Sequence, residues 1–431
     1  KDVDNFESVN DNDINILFST IQGLHTRLNT PRENSLTFED FINKEVVLIS
    51  DEAHHINTLT KNKLSTKERS HQQTLEYSVD RIVNSNPNNI LLEFTATLEL
   101  NHPNIASKYS DKLLYDYSLA KYREDGYSKE VQTNQGDYDA IDRALVAILI
   151  SQFKKKIFAS NGLLIKPVIM FKSKTTAESA EIEKLFIDTI KNLSVSRLEE
   201  IIKLKNNLLD ICLSYFRELD ITIQGLIDEI KEDFSEEKII SVNSKNDSEE
   251  KQLIINNLEE KNNEYRAVFA VDKLNEGWDV LNLFDIVRLY ETRDFEGSKP
   301  GKTTMSEAQL IGRGARYCPF KIENSQDLYK RKYDDDLNFE LRICEELYYH
   351  SAHNPKYISE LNNALVQIGM KDSKVVKKNL YLKEEFKKTH FYKHGKVFVN
   401  KQIPNLREEV KSLNEDLINK NYKVSLLTGY S

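Results

Sequence analysis

Residues 46–55 read VVLISDEAHH. An apolar run, Val46-Val47-Leu48-Ile49, ends after Ser50 in Asp51, Glu52, His54 and His55. A short, continuous apolar run bounded by polar residues fits a strand buried on both faces of a parallel sheet. In open parallel sheets, ligands collect beyond the carboxyl ends of the strands, which is where the two acids fall. Adjacent side chains on an extended backbone point to opposite sides, so one carboxylate can serve a metal ion and the next an attacking water. A solvated acidic turn is the plainer reading, and this stretch alone leaves both open.

Working outward, INILFSTIQ (14–22) reads as a short strand ending in Ser19, Thr20 and Gln22, with a polar loop, HTRLNTPRENS, after it. LEYSVDRIV has a helical pattern, and PNN turns the chain into a second buried strand, ILLEF (90–94), followed by Thr95, Ala96 and Thr97. Strands alternating with helical segments specify an α/β domain with a parallel sheet. A linker-like stretch, EDGYSKEVQTNQGDYD, then leads to an amphipathic helix, AIDRALVAILISQFKKKIF, and a strand, VIMF (168–171). Further strands are expected at KIISVNS, YRAVFAVDKL and LFDIVRLYE, after a long stretch of apolar residues at helical spacing. The expected organisation is a partial first lobe over 1–120, a linker helix region over 121–160, and a second lobe over 161–371. That second lobe carries a helical insertion at about 178–234, and 372–431 is a lysine-rich C-terminal extension.

The 431 residues, 39% hydrophobic and 30% charged, suffice for two or three domains with their own cores. No apolar run is long enough to span a membrane, and the polar start KDVDNFESVN is not a signal peptide. The start lacks Met, so a preceding segment is expected. Cys212, Cys318 and Cys344 have no zinc or redox spacing, which fits a reducing, cytoplasmic setting. At a formal net charge of −9, a nucleic-acid partner must be held by a local basic groove and not by the overall field.

Three further constellations bear on chemistry. In QLIGRGAR, Gln309, Gly312, Arg313 and Arg316 fall on one face of a helix-like segment. Two arginines so placed can reach a γ-phosphate and stabilise charge in the transition state. In DKLNEGWDVLNLFDIVRL (272–289), Gly277 permits close backbone approach to a ligand. Asp279 suits a ribose hydroxyl or an arginine, and Trp278 reads as core. GSKPGKTT (297–304) imitates a phosphate loop, but Gly297 and Gly301 are one residue too close. No nucleophilic triad is present, and the two histidines lack H-E-x-x-H spacing.

With DEAHH, FTAT, AVDKLNEGWDV and QLIGRGAR in one order, the chain resembles the superfamily 2 helicase-type motors. LNEGWDVLNLFDIVRLYE and QLIGRGARYCPF, with PVIMFKSKT and EELYYHS, bring it nearest to the Res subunit of type III restriction enzymes over residues 14 to 370. The resemblance implies two RecA-like parallel-sheet motor lobes, binding ATP and Mg²⁺ in the cleft between them. It implies that Asp51 binds Mg²⁺ through water, that Glu52 is the catalytic base, and that His54 couples the nucleotide site to Gln309. Gly277 and Asp279 match motif V, and Arg313 and Arg316 match the arginine fingers of motif VI. Thr95 and Thr97 match motif III, which couples ATP state to DNA, and Thr20 and Gln22, with Ser19, match a segment on the DNA backbone. The implied partners are double-stranded DNA and a DNA methyltransferase (modification) subunit, with no membrane. The family's phosphate loop belongs before residue 14 and its nuclease domain after the motor; Glu385-Phe386-Lys387 reads as a chance mimic of the latter's E-x-K element. A stand-alone superfamily 2 helicase and a degenerate, non-catalytic DNA-binding scaffold are the alternatives.

Overall fold

The computed structural model describes residues 12–30, 36–42, 44–51, 53, 66–95, 103–204, 206–242, 249–271, 278, 280–291, 300–336, 339–372 and 384–395. Residues up to 371 form one unit and those from 372 another.

The chain enters α1 (Ile21–Asn29) at Thr20, whose hydroxyl accepts from the Gly23 N–H at 3.0 Å. The strand expected over 14–22 does not form: residues 14–20 carry only an isolated bridge at Ile16, and Gln22 and His25 are helical residues. A Thr hydroxyl satisfying an orphan N–H of the first turn is a strong helix start. The apolar run before Asp51 forms β1 (Val47–Ser50), α2 (Thr66–Val83) follows, and ILLE forms β2 (Ile90–Glu93). The two strands pair in parallel, Val47 opposite Ile90 and Ser50 opposite Glu93. Leu48 packs on a small core of Leu28, Phe41 and Ile82, while Val47 and Ile49 are 55% and 71% exposed. Among the described residues β1 is thus covered on one face only, not on both. Short helices α3 (Pro103–Tyr109) and α4 (Leu119–Glu124) complete this part.

The second sheet is built from β3 (Glu130–Gly136), β4 (Val168–Lys172), β5 (Ile239–Val242), β6 (Ala267–Ala270), β7 (Leu283–Arg288) and β8 (Glu346–Ala352). Its order is β3-β8-β7-β4-β6-β5, with every pairing parallel. The α/β parallel-sheet class expected from the sequence is what is found. β4, β6 and β7 are buried along their whole length, the signature of a sheet covered on both faces. Alternation divides their side chains. Ile169, Phe171, Phe269, Phe284 and Val287 face one core, and Val168, Met170, Val268, Leu283 and Ile286 face the other.

The first core lies under α5 (Ala140–Ser160) and four helices between β4 and β5: α6 (Thr176–Lys191), α7 (Val195–Ile202), α8 (Asn207–Glu218) and α9 (Ile223–Asp233). These four are the helical insertion expected from the periodicity. Because they pack over α5, that helix is buried almost continuously from Arg143 to Lys154 and is not the amphipathic helix expected. The second core lies under α10 (Glu249–Asn256), α11 (Lys302–Gly314) and α12 (Pro355–Gln367), and it includes Trp278, which is 2% exposed. The stretch 121–160, expected to be a linker region, supplies both β3 and α5 to this sheet. Its polar character belongs to an edge strand, β3, that pairs residue for residue with β8.

Buried charges knit the sheet. The Lys154 ammonium donates to Asp285 Oδ2 at 3.1 Å, and His350 Nε2 lies 2.9 Å from Asp285 Oδ1. Burial lowers the His350 pKa, outweighing the adjacent carboxylate. In the second unit, α13 (Glu384–Lys387) and α14 (His390–His394) are short helices. Glu385-Phe386-Lys387 thus lies in a helix.

Candidate functional site

The β1–β2 ladder continues past the carboxyl ends of both strands. Phe94 N–H donates to Ser50 O at 2.9 Å, and Ala53 N–H donates to Phe94 O at 2.9 Å. Asp51, exposed, and Thr95, half-buried, therefore flank the same run of backbone hydrogen bonds. Two stretches separated by more than 40 residues in the sequence are brought side by side at the edge where ligands bind in parallel sheets. Asp51 offers a hard oxygen donor of the kind Mg²⁺ takes, usually with waters completing its shell. Among the described residues no group of three or more His, Cys, Asp or Glu side chains is arranged to hold a metal ion directly. An exposed carboxylate fits contact through water. Glu52, His54, His55 and Thr97 lie outside the described residues, as do Gly277 and Asp279.

Thr20 and Gln22 start α1. The Thr20 hydroxyl is engaged as the helix cap, and Gln22 is exposed. α1 packs beside α2, where His25 Nδ1 lies 2.7 Å from Ser78 Oγ.

On the second sheet, α11 turns Thr304, Glu307, Ala308 and Ile311 inward at helical spacing. Gln309 is exposed, and Arg313, one turn later, is half-buried. Arg316 departs from the expected single helical face. The helix ends at Gly314, and Arg316 forms an antiparallel bridge with Ser128. The glycines have packing roles. A Cβ on Gly314 would meet Leu283 Cδ2 at 2.8 Å, so its absence lets the end of α11 lie against β7 and β8. Inside, Glu307 pairs with Arg288 at 3.2 Å and accepts from the Tyr290 and Tyr357 hydroxyls. At the other end of α11, Gly301 N–H donates to Glu360 Oε1 at 2.6 Å. A carboxylate thus occupies the helix start that a phosphate would need, in line with rejecting GSKPGKTT as a phosphate loop.

A cavity of about 380 Å³ at the carboxyl ends of β3, β7 and β8 is lined by Asp137, Asp139, Arg288, Glu291 and His353 among others, and by none of the residues chosen from sequence. Sequence reasoning also missed Lys129, a buried lysine that holds the carbonyls of Gly314 and Arg316. It sits inside a stretch whose polarity resembles a linker, and its partners are more than 150 residues away.

Comparison with known proteins adds the family. Residues 2–100 match the family model described as "Type III restriction enzyme, res subunit", and 303–374 match one described only as an N-terminal region. A probable type III restriction-modification enzyme HindVIP Res subunit of Haemophilus influenzae is 33% identical over 331 residues, 67% of this chain and 64% of that protein. The chain is a homologue of type III restriction-enzyme Res subunits. An uncharacterized protein of H. influenzae is 42% identical to this Res homologue over 122 residues, 27% of this chain and 26% of that one. The Res homologue thus spans less than two thirds of the curated relatives it matches. Among solved structures, the type ISP restriction-modification enzyme LlaBIII bound to DNA aligns with 82% of this chain and 22% of its own, at 13% identity and a TM-score of 0.39. S. cerevisiae Dbp5 bound to RNA and ADP BeF3 aligns with 80% and 66%, at 10% identity and a TM-score of 0.37. No described helix is long and apolar enough to cross a membrane.

Proposed function

We propose that this Res homologue is the ATP-driven DNA-translocating motor of a type III restriction system. The observation that carries the reading is the ladder Ser50–Phe94–Ala53. It bonds the backbone on both sides of Asp51 to the residue before Thr95, so the two candidate positions lie side by side at one strand end. In this reading Asp51 holds Mg²⁺ through water and Glu52 accepts the proton of the attacking water. His54, Gln309, Gly277 and Asp279 line the nucleotide, and Arg313 and Arg316 meet the developing phosphoryl charge. Bound Mg²⁺ neutralises phosphate charge; the residues named supply position and proton transfer. Thr20, Gln22, Thr95 and Thr97 relate nucleotide state to the DNA backbone.

The substrate is double-stranded DNA, and the base-reading partner is a methyltransferase subunit, leaving the motor to track phosphates. The test is ATP hydrolysis by the full-length protein with its methyltransferase subunit, with and without duplex DNA. Stimulation by duplex DNA that depends on that subunit supports the reading. Stimulation by RNA alone favours a stand-alone helicase, and no hydrolysis with retained DNA binding favours a scaffold.

A further inference from the structure

Lys129 is fully buried, yet no carboxylate is among its hydrogen-bond partners. Its ammonium donates to three backbone carbonyls: Leu281 at 2.8 Å, Gly314 at 3.1 Å and Arg316 at 2.6 Å. Three donors meet three acceptors, so the charged group is saturated. The Phe284 ring lies 4.9 Å from the nitrogen. The surrounding backbone is a short antiparallel ribbon. Lys129 N–H donates to Ala315 O, Ser128 bridges Arg316, and Tyr317 N–H donates to Tyr127 O at 3.1 Å.

The three carbonyls belong to functionally distinct pieces. Leu281 follows Asp279 by two residues and opens the approach to β7. Gly314 is the last residue of α11, next to Arg313, and Arg316 is itself a candidate finger. A lysine at a helix C-terminus satisfies orphan carbonyls and meets the negative end of the helix dipole. Here the same cation also reaches outside the helix on both sides. An apolar residue in its place would leave three buried carbonyls without this donor, each a real cost. Simple stabilisation of the core does not call for such an arrangement, because burying an ammonium is itself expensive. Burial pulls the Lys129 pKa down to about 7, with Lys154 adding to that effect and Cys318, Glu259 and Asp285 opposing it.

We infer that Lys129 is a positioning residue that fixes Arg313 and Arg316 relative to the entry of β7 by clamping the backbone carbonyls of Leu281, Gly314 and Arg316. The inference rests on the motor reading. It assigns Lys129 no contact with nucleotide; its effect on hydrolysis passes through the arginines.

The experiment is a double-mutant cycle on the DNA-stimulated ATPase of the full-length protein. It uses Lys129→Met, Arg316→Ala and the double variant, with Lys129→Arg in parallel in case the Met variant does not fold. Lys129→Met is expected to lower kcat about 10- to 100-fold, as misplacement by an ångström does, with KM for ATP within about twofold. Lys129→Arg, which keeps charge but relocates the donors, is expected to lower kcat in the same direction by less. In the Arg316→Ala background both substitutions are expected to lower kcat by clearly less than in the wild type, because one of the two arginines through which Lys129 acts is gone. Losses that multiply in the double variant overturn the inference, as does a folded Lys129→Met protein with wild-type kcat. If Arg316→Ala leaves kcat unchanged while the wild type hydrolyses ATP, the assignment of Arg316 fails and takes the inference with it. A wild type that hydrolyses no ATP overturns the motor reading itself.

Discussion

Ala53 N–H donates to Phe94 O at 2.9 Å, beyond Ser50 and Glu93, the last paired residues of β1 and β2. The main-chain bonds of Ser50, Ala53 and Phe94 therefore hold the segments carrying Asp51 and Thr95 side by side, and Asp51 is exposed. If Asp51 holds Mg²⁺ through water, Asp51→Asn should weaken the apparent Mg²⁺ affinity in ATPase titrations by about 10- to 100-fold. The melting temperature should barely move, because the residue is exposed. Unchanged Mg²⁺ dependence removes Asp51 from the site.

Arg316 lies in a backbone bridge and not on the helix, so truncating its side chain leaves the bridge to Ser128 in place. Arg316→Ala should cut kcat by about 10³-fold, in line with arginine fingers generally, with the fold intact by circular dichroism. A loss of only a few-fold argues against a role at the γ-phosphate.

Gly314 packs where a Cβ would lie 2.8 Å from Leu283 Cδ2. Gly314→Ala should destabilise by about 1–3 kcal/mol through overpacking, despite the better helix propensity of alanine. Urea denaturation measures it; a stabilised variant contradicts the packing account.

The Lys154–Asp285–His350 group is fully inside the second sheet. Asp285→Ala leaves the Lys154 ammonium buried without its carboxylate and should cost about 3–5 kcal/mol. A change below about 1 kcal/mol in chemical denaturation shows that the pair does not support the sheet.

Asp233 makes an ion pair with Arg266 and another with Lys155 at 2.5 Å. Burial pushes its pKa up, but Arg266 and Lys155 outweigh that and hold the carboxyl below its ordinary 3.8. Above about pH 4 both folded and unfolded forms are ionised, and the full stabilisation is present. As pH falls below that, the unfolded chain takes up the proton first, and the stabilisation is lost toward the folded pKa. Melting curves of wild type and Asp233→Asn between pH 6 and pH 2 should therefore converge on acidification; a constant gap contradicts the linkage.

Much of this was legible locally. The apolar runs at 47–50, 90–93, 168–172 and 283–288 became strands, and the helical spacing after 177 became α6 to α9. Short runs dominated by apolar residues are the pattern of strands in a parallel sheet, even where a paired polar residue such as Asp285 interrupts them. Most of the failures share one cause, which is partners distant in sequence. β3 reads as a linker because an edge strand tolerates polar residues, and only its pairing with β8 reveals it. Arg316 fits a helical spacing from Gln309, but the helix stops at Gly314 because Ser128 and Lys129 capture the next residues. The start of α1 is the exception: its signal, the Thr20 cap, is local and lies beside the mostly apolar stretch 14–18, whose pattern suggests a strand. For the candidate site, the sequence alone named Asp51, Thr95, Gln309 and the arginines. It was silent on Lys129, Glu307 and Arg288, whose partners lie elsewhere in the chain.

The most direct measurement is DNA-stimulated ATP hydrolysis by the full-length protein carrying Glu52→Gln. The exchange removes the carboxylate proposed as proton acceptor while keeping size and polarity. Turnover at background, with nucleotide affinity within about threefold of wild type, is the expected result. Turnover at the wild-type rate contradicts the assignment of Glu52 as the base and, with it, the motor reading of VVLISDEAHH.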